Sequence, residues 1–337
     1  MPTVLKIAFV QLLIFLSGLG LIEAALRIFA PLPVHGGIYL DGEGKGVRVA
    51  KDDMLLMPNL KVAHVGQEFS VPITTDGLGY RQAVDESTRP SYAFIGDSFT
   101  FGHGVADDEI FPNIFCRHRH ASCMNLGRSG TDTFDQVRIL RHAVERFGLE
   151  PETVVLIMLS ACWIDSAGND LGGNLADHAA RTAARQAAVA ATAALPERKA
   201  DKSYVKMMQG WIGDFEIAKR AMLIVTSRLK STLYACSDPD RIAAALAATK
   251  IALDELAQLA AEKHFKVEVY AIHPYQELDG AYRRSEAALG EVMPPRFVYV
   301  GTGAHFRKEH YFSYDGHFNA AGHANMASLL ERGREAK

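Results

Sequence analysis

Residues 92–102 read YAFIGDSFTFG, an apolar run that enters a glycine turn and presents Ser98. The run Tyr92–Ile95 predicts a strand, and Gly96-Asp97-Ser98 predicts the turn that follows it. Such a turn puts the serine hydroxyl at the carboxyl edge of a parallel sheet, where α/β folds bind ligands. A serine nucleophile also needs a base within about 2.6–3.2 Å and a third group that orients the base. Because Gly-Asp-Ser is also a common turn, the stretch alone leaves a purely structural interpretation open.

The chain beyond this stretch alternates short apolar runs with longer helical patterns. Strands are predicted at residues 124–126, 154–159 and 267–272, and helices at 131–147, at 238–264 and after Asn319. This alternation is typical of an α/β domain with a parallel sheet. The unbroken run VVLIML at 154–159 predicts a central strand covered on both faces.

Composition limits the class of protein. The 337 residues are 48% hydrophobic and 22% charged, which excludes a disordered polymer, a collagen-like chain and a multi-span membrane protein. The 36 Lys and Arg against 39 Asp and Glu argue against a nucleic-acid partner, although a local basic patch stays open. Four cysteines without a C-x-x-C pair suggest neither a disulfide scaffold nor a zinc site. They allow three disulfide pairings or free buried thiols.

The amino terminus predicts a membrane anchor over residues 1–30. Residues 7–22 read IAFVQLLIFLSGLGLI, and counted from Val4 the apolar stretch is long enough to cross a bilayer as a helix of about 28 Å. We favour an uncleaved anchor over a cleaved signal peptide or a buried core helix. Lys6 favours a cytoplasmic start, so that the rest of the chain faces outward, in the periplasm or at the cell surface.

Three further segments follow the anchor. Residues 31–50, rich in proline and glycine, are expected to form a tether, and 51–337 the globular domain. Within that domain, residues 176–235 predict a helical insertion. The insertion is either a lid or partner surface, or simply a set of solvated helices.

A second candidate for chemistry lies near the carboxyl end, where residues 314–323 read YDGHFNAAGH. Asp315 and His317 are close enough in a tight turn for the carboxylate to orient the imidazole, whose other nitrogen would then face Ser98. The alternative is an Asx-turn that leads into the last helix. His323 competes for the role of base, but it falls inside the predicted helix.

A third candidate is the glycine turn NLGRSG at 125–130. Its Gly127 N–H, beside the Ser98 N–H, can stabilise the negative oxygen that forms when an ester carbonyl is attacked. A plain strand-to-helix loop is the alternative.

These three blocks, in this order, resemble the SGNH/GDSL hydrolase superfamily, in particular its bacterial membrane-anchored members. GDSFTFGHGV is similar to the family's nucleophile block, NLGRSG to its glycine block and DGHFNAAGH to its Asp-His block, and residues 57–81 resemble the approach segment of the anchored members. The resemblance implies a three-layer α/β/α sandwich with a central parallel sheet. It implies Ser98 as nucleophile, His317 as base, Asp315 as its orienter and Gly127 as an oxyanion donor. No metal or cofactor is expected.

One block departs from the family. After the strand at 154–159 the family has Gly-x-Asn-Asp, whose asparagine is a further oxyanion donor, but this chain continues with Ser160-Ala-Cys-Trp-Ile-Asp165. Cys162 stands near the asparagine position and is only a weak donor, whereas Asn169 would need a looped insertion to reach the site. Loss of one oxyanion donor costs roughly 10²–10³ in turnover, so the departure predicts slower chemistry or a replacement donor.

The resemblance implies an ester hydrolase or acyl-transfer enzyme that acts on acetyl groups of cell-surface or exported polysaccharide. The substrate partner would then be an ester-bearing carbohydrate, and the membrane is contacted through the first helix. Two alternatives stay open: a non-catalytic anchored scaffold that binds carbohydrate or assists assembly, and a lipid or thioester hydrolase.

Overall fold

The computed structural model describes residues 3–29, 37–52, 54–84, 87–160, 217–218, 220 and 239–335. The chain divides into two compact units, of which the first contains the amino-terminal helix and the second contains both sheets. In the first unit, α1 (Thr3–Phe29) is a single helix. Its segment Phe9–Phe29 is long and apolar enough to cross a membrane, a property that anchors share with signal sequences.

The second unit is built on a five-stranded parallel sheet. Its strands are β4 (Tyr92–Ile95), β5 (Cys123–Asn125), β6 (Thr153–Leu159), β7 (Lys266–Ile272) and β8 (Val298–Gly301). Their order across the sheet is β5-β4-β6-β7-β8, and every neighbouring pair is parallel. The sheet therefore presents one common carboxyl edge, at which β4 delivers Ser98.

Helices cover both faces of this sheet, which gives three layers. The α-helices in the described part of this unit are α2 (Ser98–Phe101), α3 (Phe111–Arg119), α4 (Thr133–Phe147), α5 (Pro239–Lys263), α6 (Tyr282–Glu291) and α7 (Ala320–Glu335). One apolar core lies against α4, α5 and α6, and a second lies against α2, α3 and α7. Alternate strand residues serve the two cores: Val154 and Leu156 belong to the first, Val155 and Ile157 to the second. The predicted α/β/α sandwich with a parallel sheet is thus confirmed.

Several element boundaries agree with the pattern of the sequence. The strand at Tyr92–Ile95 matches fully, and the predicted helix at 131–147 begins two residues late because Asp132 caps it by accepting a hydrogen bond from the Asp135 N–H. The last helix follows Asn319, whose Oδ1 accepts the Gly322 N–H at 3.0 Å.

A small antiparallel sheet precedes the main one, and the sequence patterns did not indicate it. Its strands are β1 (Ile38–Leu40), β2 (Lys61–Val65) and β3 (Ser70–Thr74), in that order. Residues 38–40 were expected to belong to the tether over 31–50, but β1 pairs with β2 instead, Tyr39 lying opposite His64. Backbone pairing and the stacking of these two rings order that part of the segment.

Cys116 of α3 and Cys123 of β5 form a disulfide, one of the pairings that the sequence left open. Cys162, Asn169, Cys236, residues 31–36 and most of the insertion at 176–235 lie outside the described residues.

Candidate active site

Ser98 lies at the first position of α2, directly beyond the end of β4. Asp97 caps this short helix through a 2.9 Å hydrogen bond from the Phe99 N–H to its carboxylate. Burial raises the pKa of Asp97 to about 6. Within the part of the chain that the structure describes, the Ser98 N–H has no hydrogen-bond acceptor, so it can serve an incoming oxygen atom.

Asp315 and His317 lie on a closed loop before α7. The loop is held by a hydrogen bond from the Phe312 N–H to the His317 carbonyl at 2.8 Å. Gly316 lies between the two side chains with φ +86°, a left-handed conformation that glycine adopts without steric cost. This turn lets the imidazole and the carboxylate face each other.

The structure brings Ser98, His317 and Asp315 into one hydrogen-bonded chain although 219 sequence positions separate the serine from the histidine. The Ser98 Oγ lies 2.7 Å from His317 Nε2, and His317 Nδ1 contacts Asp315 Oδ1 in a short hydrogen bond. Because a carboxylate only accepts, Nδ1 carries the proton and Nε2 accepts from the serine hydroxyl. All three side chains are partly or largely shielded from solvent.

Asp315 is kept ionised by its surroundings. Burial by itself would raise its pKa, but the imidazoles of His103 and His317 outweigh burial and hold the pKa well below its usual range. A carboxylate that stays negative fixes the tautomer of His317 and stabilises the imidazolium that forms when it takes up a proton.

Glu68, in the turn between β2 and β3, holds the loop that carries this pair. Its Oε1 accepts the Ser313 N–H at 2.7 Å, and its Oε2 accepts the N–H groups of Tyr314 at 2.8 Å and Asp315 at 3.0 Å. Three charge-assisted hydrogen bonds to one carboxylate fix the backbone next to Asp315. The small sheet therefore takes part in building the site.

Arg81 holds the segment that follows Ser98. Its fully buried guanidinium pairs with Asp107 at 2.5 Å and donates to the carbonyls of Phe101, Gly102 and Val105. Because these carbonyls lie at the last residue of α2 and in the segment just after it, the buried cation fixes the turn that the serine helix leads into.

Gly127 does not offer the free donor that the sequence suggested. Its N–H donates to Asn125 Oδ1 at 2.9 Å, and the Asn125 amide donates in turn to the Thr100 carbonyl. A Cβ at position 127 would lie 2.4 Å from the Phe101 nitrogen, so the glycine is needed for close packing against α2. The expected oxyanion role of Gly127 is corrected accordingly, and the Ser98 N–H is the donor that this arrangement leaves free.

His323, the competing candidate for the base, has a structural role. Its Nδ1 accepts the Phe111 N–H at 3.2 Å at the start of α3, and burial lowers its pKa to about 3. At neutral pH His323 is therefore uncharged, and its Nδ1 is occupied by the hydrogen bond from Phe111.

His103 and His64 are two residues near the site that the sequence analysis did not select. The His103 ring stacks on His317 with 4.3 Å between centroids, and His64 meets His103 edge-on at 4.5 Å. The potential ligand atoms of His103, Asp315 and His317 lie within 4.8 Å of one another. Imidazole lone pairs lie in the ring plane, however, so two stacked rings do not converge on one metal ion, and the cluster is better suited to handling protons.

A separate buried polar cluster joins the carboxyl ends of β6, β7 and β8. His273 contacts Glu277 at 3.0 Å through Nδ1 and Glu286 at 3.2 Å through Nε2, and Ser160 Oγ donates to Glu277 at 2.6 Å. Burial would lower the pKa of His273, but the two carboxylates outweigh it and raise that pKa. The cluster fixes the sheet edge, and no pattern in the sequence indicated it.

Comparisons with known proteins give the following findings. No family model and no curated protein matches the sequence. A solved structure titled a putative lipolytic protein of the G-D-S-L family, from Desulfitobacterium hafniense DCB-2, is 12% identical, with a TM-score of 0.38 over 73% of this chain and 99% of its own. A mutant acetyl-xylooligosaccharide esterase from Geobacillus is 11% identical, with a TM-score of 0.37 over 74% and 95%. An α/β hydrolase from the metagenome of Lake Arreo is 14% identical, with a TM-score of 0.29 over 72% and 93%.

Proposed function

We propose that this chain is a membrane-anchored serine esterase or acyl-transfer enzyme of the SGNH type. The observation that carries the proposal is the continuous hydrogen-bonded chain Ser98–His317–Asp315 at the carboxyl edge of the parallel sheet. Its members have the chemical types and the contacts that nucleophilic acyl transfer requires.

In the first half of the reaction, the Ser98 oxygen attacks an ester carbonyl while its proton passes to His317 Nε2. The carbonyl electrons move onto the oxygen, and the Ser98 N–H stabilises that negative charge. Asp315, which stays ionised, stabilises the imidazolium. When the intermediate collapses, the bond to the alcohol breaks and His317 returns the proton to the leaving oxygen, so an acyl-serine remains.

In the second half, water attacks the acyl-serine and gives its proton to His317. Ser98 leaves with that proton, and the acid is released. If a sugar hydroxyl enters in place of water, the same steps transfer the acyl group. These residues need no metal ion to carry out either reaction.

We propose an acetylated, cell-surface or exported polysaccharide as substrate and an extracytoplasmic position for the unit that carries Ser98. The apolar length of α1 supports the anchor. The disulfide Cys116–Cys123 favours an oxidising compartment. The resemblance of the three sequence blocks to anchored SGNH proteins motivates the substrate class.

The test uses the full chain in detergent with a chromogenic acetyl ester, with and without an oligosaccharide acceptor. We expect acetate release, or acetylated oligosaccharide when transfer dominates, and loss of both in Ser98→Ala. Ser328→Ala is the matched control, because Ser328 lies on α7 and its hydroxyl, among the described residues, hydrogen-bonds to Arg332 alone. Folded wild-type protein that neither hydrolyses nor transfers acetyl would favour a non-catalytic scaffold.

A further inference from the structure

A buried imidazole lies beside the catalytic pair without a regular hydrogen bond. His103 is 8% exposed, and its Nε2 makes no hydrogen bond of good geometry to the described residues. That nitrogen lies 3.4 Å from Asp315 Oδ2, the carboxylate oxygen that does not contact His317. A buried N–H is costly to leave unpaired, so a small rotation toward Oδ2 is favourable.

Three rings fix His103 in this place. It stacks on His317 at 4.3 Å, and His64 and Phe69 of the small sheet and its turn meet it edge-on at 4.5 and 5.3 Å. Tyr39 of β1 stacks in turn on His64 at 4.5 Å. A continuous row of rings thus runs from the small sheet to the proposed base.

Among the described residues, three charged or titratable side chains contact His103. Asp315 and His317 face it from the loop before α7, and His64 faces it from β2. Burial, with repulsion from His103 next, lowers the pKa of His64 to about 3, so His64 is neutral at working pH. Arg81 pairs with Asp107 and binds the carbonyls around position 103. Asp315 is therefore the acceptor that a donor on His103 Nε2 can reach by a small rotation.

We propose that His103 is a positioning residue for the Asp315–His317 pair, donating from Nε2 to Asp315 Oδ2 while its ring supports the face of His317. The proposal rests on the proposed function. With one imidazole on each oxygen, the carboxylate cannot rotate, and Nδ1 of His317 keeps its partner. The hydrogen bond from His103 also draws negative charge away from Asp315 Oδ1, so His317 is a weaker base than it would be without it.

Two substitutions separate the donor from the ring. His103→Phe keeps the stacking ring and removes the donor, whereas His103→Gln places an amide nitrogen the same number of bonds from Cα as Nε2 and removes the ring. The readout is the rate at which a fluorophosphonate labels Ser98 of the full chain as a function of pH, because this reaction needs His317 and no knowledge of the natural ester.

In the profile of labelling rate against pH, we expect His103→Phe to be about tenfold slower on the plateau. We also expect the acidic limb of the profile, where His317 becomes protonated, to move upward by about 0.5–1 pH unit, since the carboxylate then favours the imidazolium more strongly. His103→Gln should keep the limb near that of the wild type. His305→Gln, an exposed histidine on the second unit, is the control.

A residue with a merely structural role would slow labelling without moving the limb. If His103→Phe has the wild-type profile, or if both variants lose rate equally at an unchanged limb, the proposal is overturned. Should His103→Phe not fold, as judged by its thermal transition, His103→Leu replaces it under the same criterion. Wild-type protein that is not labelled at all refutes the proposed function and this inference with it, whereas labelled wild-type protein with unmoved variants refutes the inference alone.

Discussion

Replacing Glu68 with alanine removes the carboxylate that holds the backbone of the loop carrying Asp315. Three N–H groups lose their acceptor, those of Ser313, Tyr314 and Asp315. Hydrogen bonds to a charged group contribute about 1.5–3 kcal/mol each, but these N–H groups lie near solvent and can turn to water, so we expect less than the sum. Glu68→Ala should therefore affect the catalytic rate more than the stability of the fold.

The expected effect on the reaction follows from that displacement. A shift of about 1 Å in a positioned group lowers the rate by about 10², equivalent to about 2.7 kcal/mol. We therefore predict that Glu68→Ala lowers kcat toward the acetyl ester about a hundredfold and changes KM little, because the Glu68 carboxylate binds the backbone of the loop. The kcat of Glu68→Gln should lie between those of the wild type and Glu68→Ala, since one oxygen at the Oε2 position still accepts hydrogen bonds from Tyr314 and Asp315.

The assay is steady-state ester hydrolysis by the full chain, with Glu145→Gln as the matched control. Glu145 is an exposed residue of α4 that forms an ion pair with Arg141. An unchanged kcat in Glu68→Ala, or equal effects of the alanine and glutamine variants, would refute the role of Glu68 in holding the loop that carries Asp315.

Other consequences concern the pair, the buried cluster and the anchor. Asp315→Asn should lower kcat by up to about 10⁴, because an amide can leave His317 in the wrong tautomer, and activity within tenfold of wild type would contradict this. His273→Ala should lower the free energy of unfolding by about 3–5 kcal/mol in denaturant titrations, because the buried Glu277 and the partly buried Glu286 both lose the cation. The pKa of His273 is higher in the folded than in the unfolded protein. Its contribution to the free energy of unfolding is therefore complete below about pH 6.5 and is lost as the pH rises through the folded pKa. Above pH 6.5 the stability of the alanine variant should consequently fall less with pH than that of the wild type. Deletion of residues 1–30 should move the protein from sedimented lipid vesicles to the supernatant, and unchanged sedimentation would argue against the anchor.

The sequence predicts four of the five strands of the main sheet, and the central ones most clearly because they are buried on both faces. Strand β8 is only half-buried along its length, and the sequence pattern did not indicate it. The apolar runs at 92–95, 154–159 and 267–272 leave little choice of element. Ser98 follows from the turn after the first of these runs, and Asp315 and His317 follow from the turn before the last helix. The order of strands and the 2.7 Å contact between positions 98 and 317 needed the folded chain.

The small sheet escaped prediction for physical reasons. Its strands have three to five residues, and Pro72 interrupts the pattern of β3. Because β3 is an edge strand, the missing N–H of Pro72 costs the sheet no ladder hydrogen bond. In the sequence alone, however, a proline argues against a strand.

Two features of the site depend on side-chain orientation, which a pattern does not contain. Gly127 was expected to offer its N–H, yet the rotamer of Asn125 places an acceptor on that group. His103 stands between two glycines in FGHGV, and nothing in that context indicates that its ring lies against His317.

The central claim is that Ser98 is a nucleophile activated by His317, and a covalent adduct tests it most directly. The full chain is treated with a fluorophosphonate, and the modified peptide is located by mass spectrometry. We predict one adduct on Ser98, absent in Ser98→Ala and formed far more slowly in His317→Gln. A folded wild-type protein without an adduct at Ser98, or an adduct whose rate is indifferent to His317, would contradict the account.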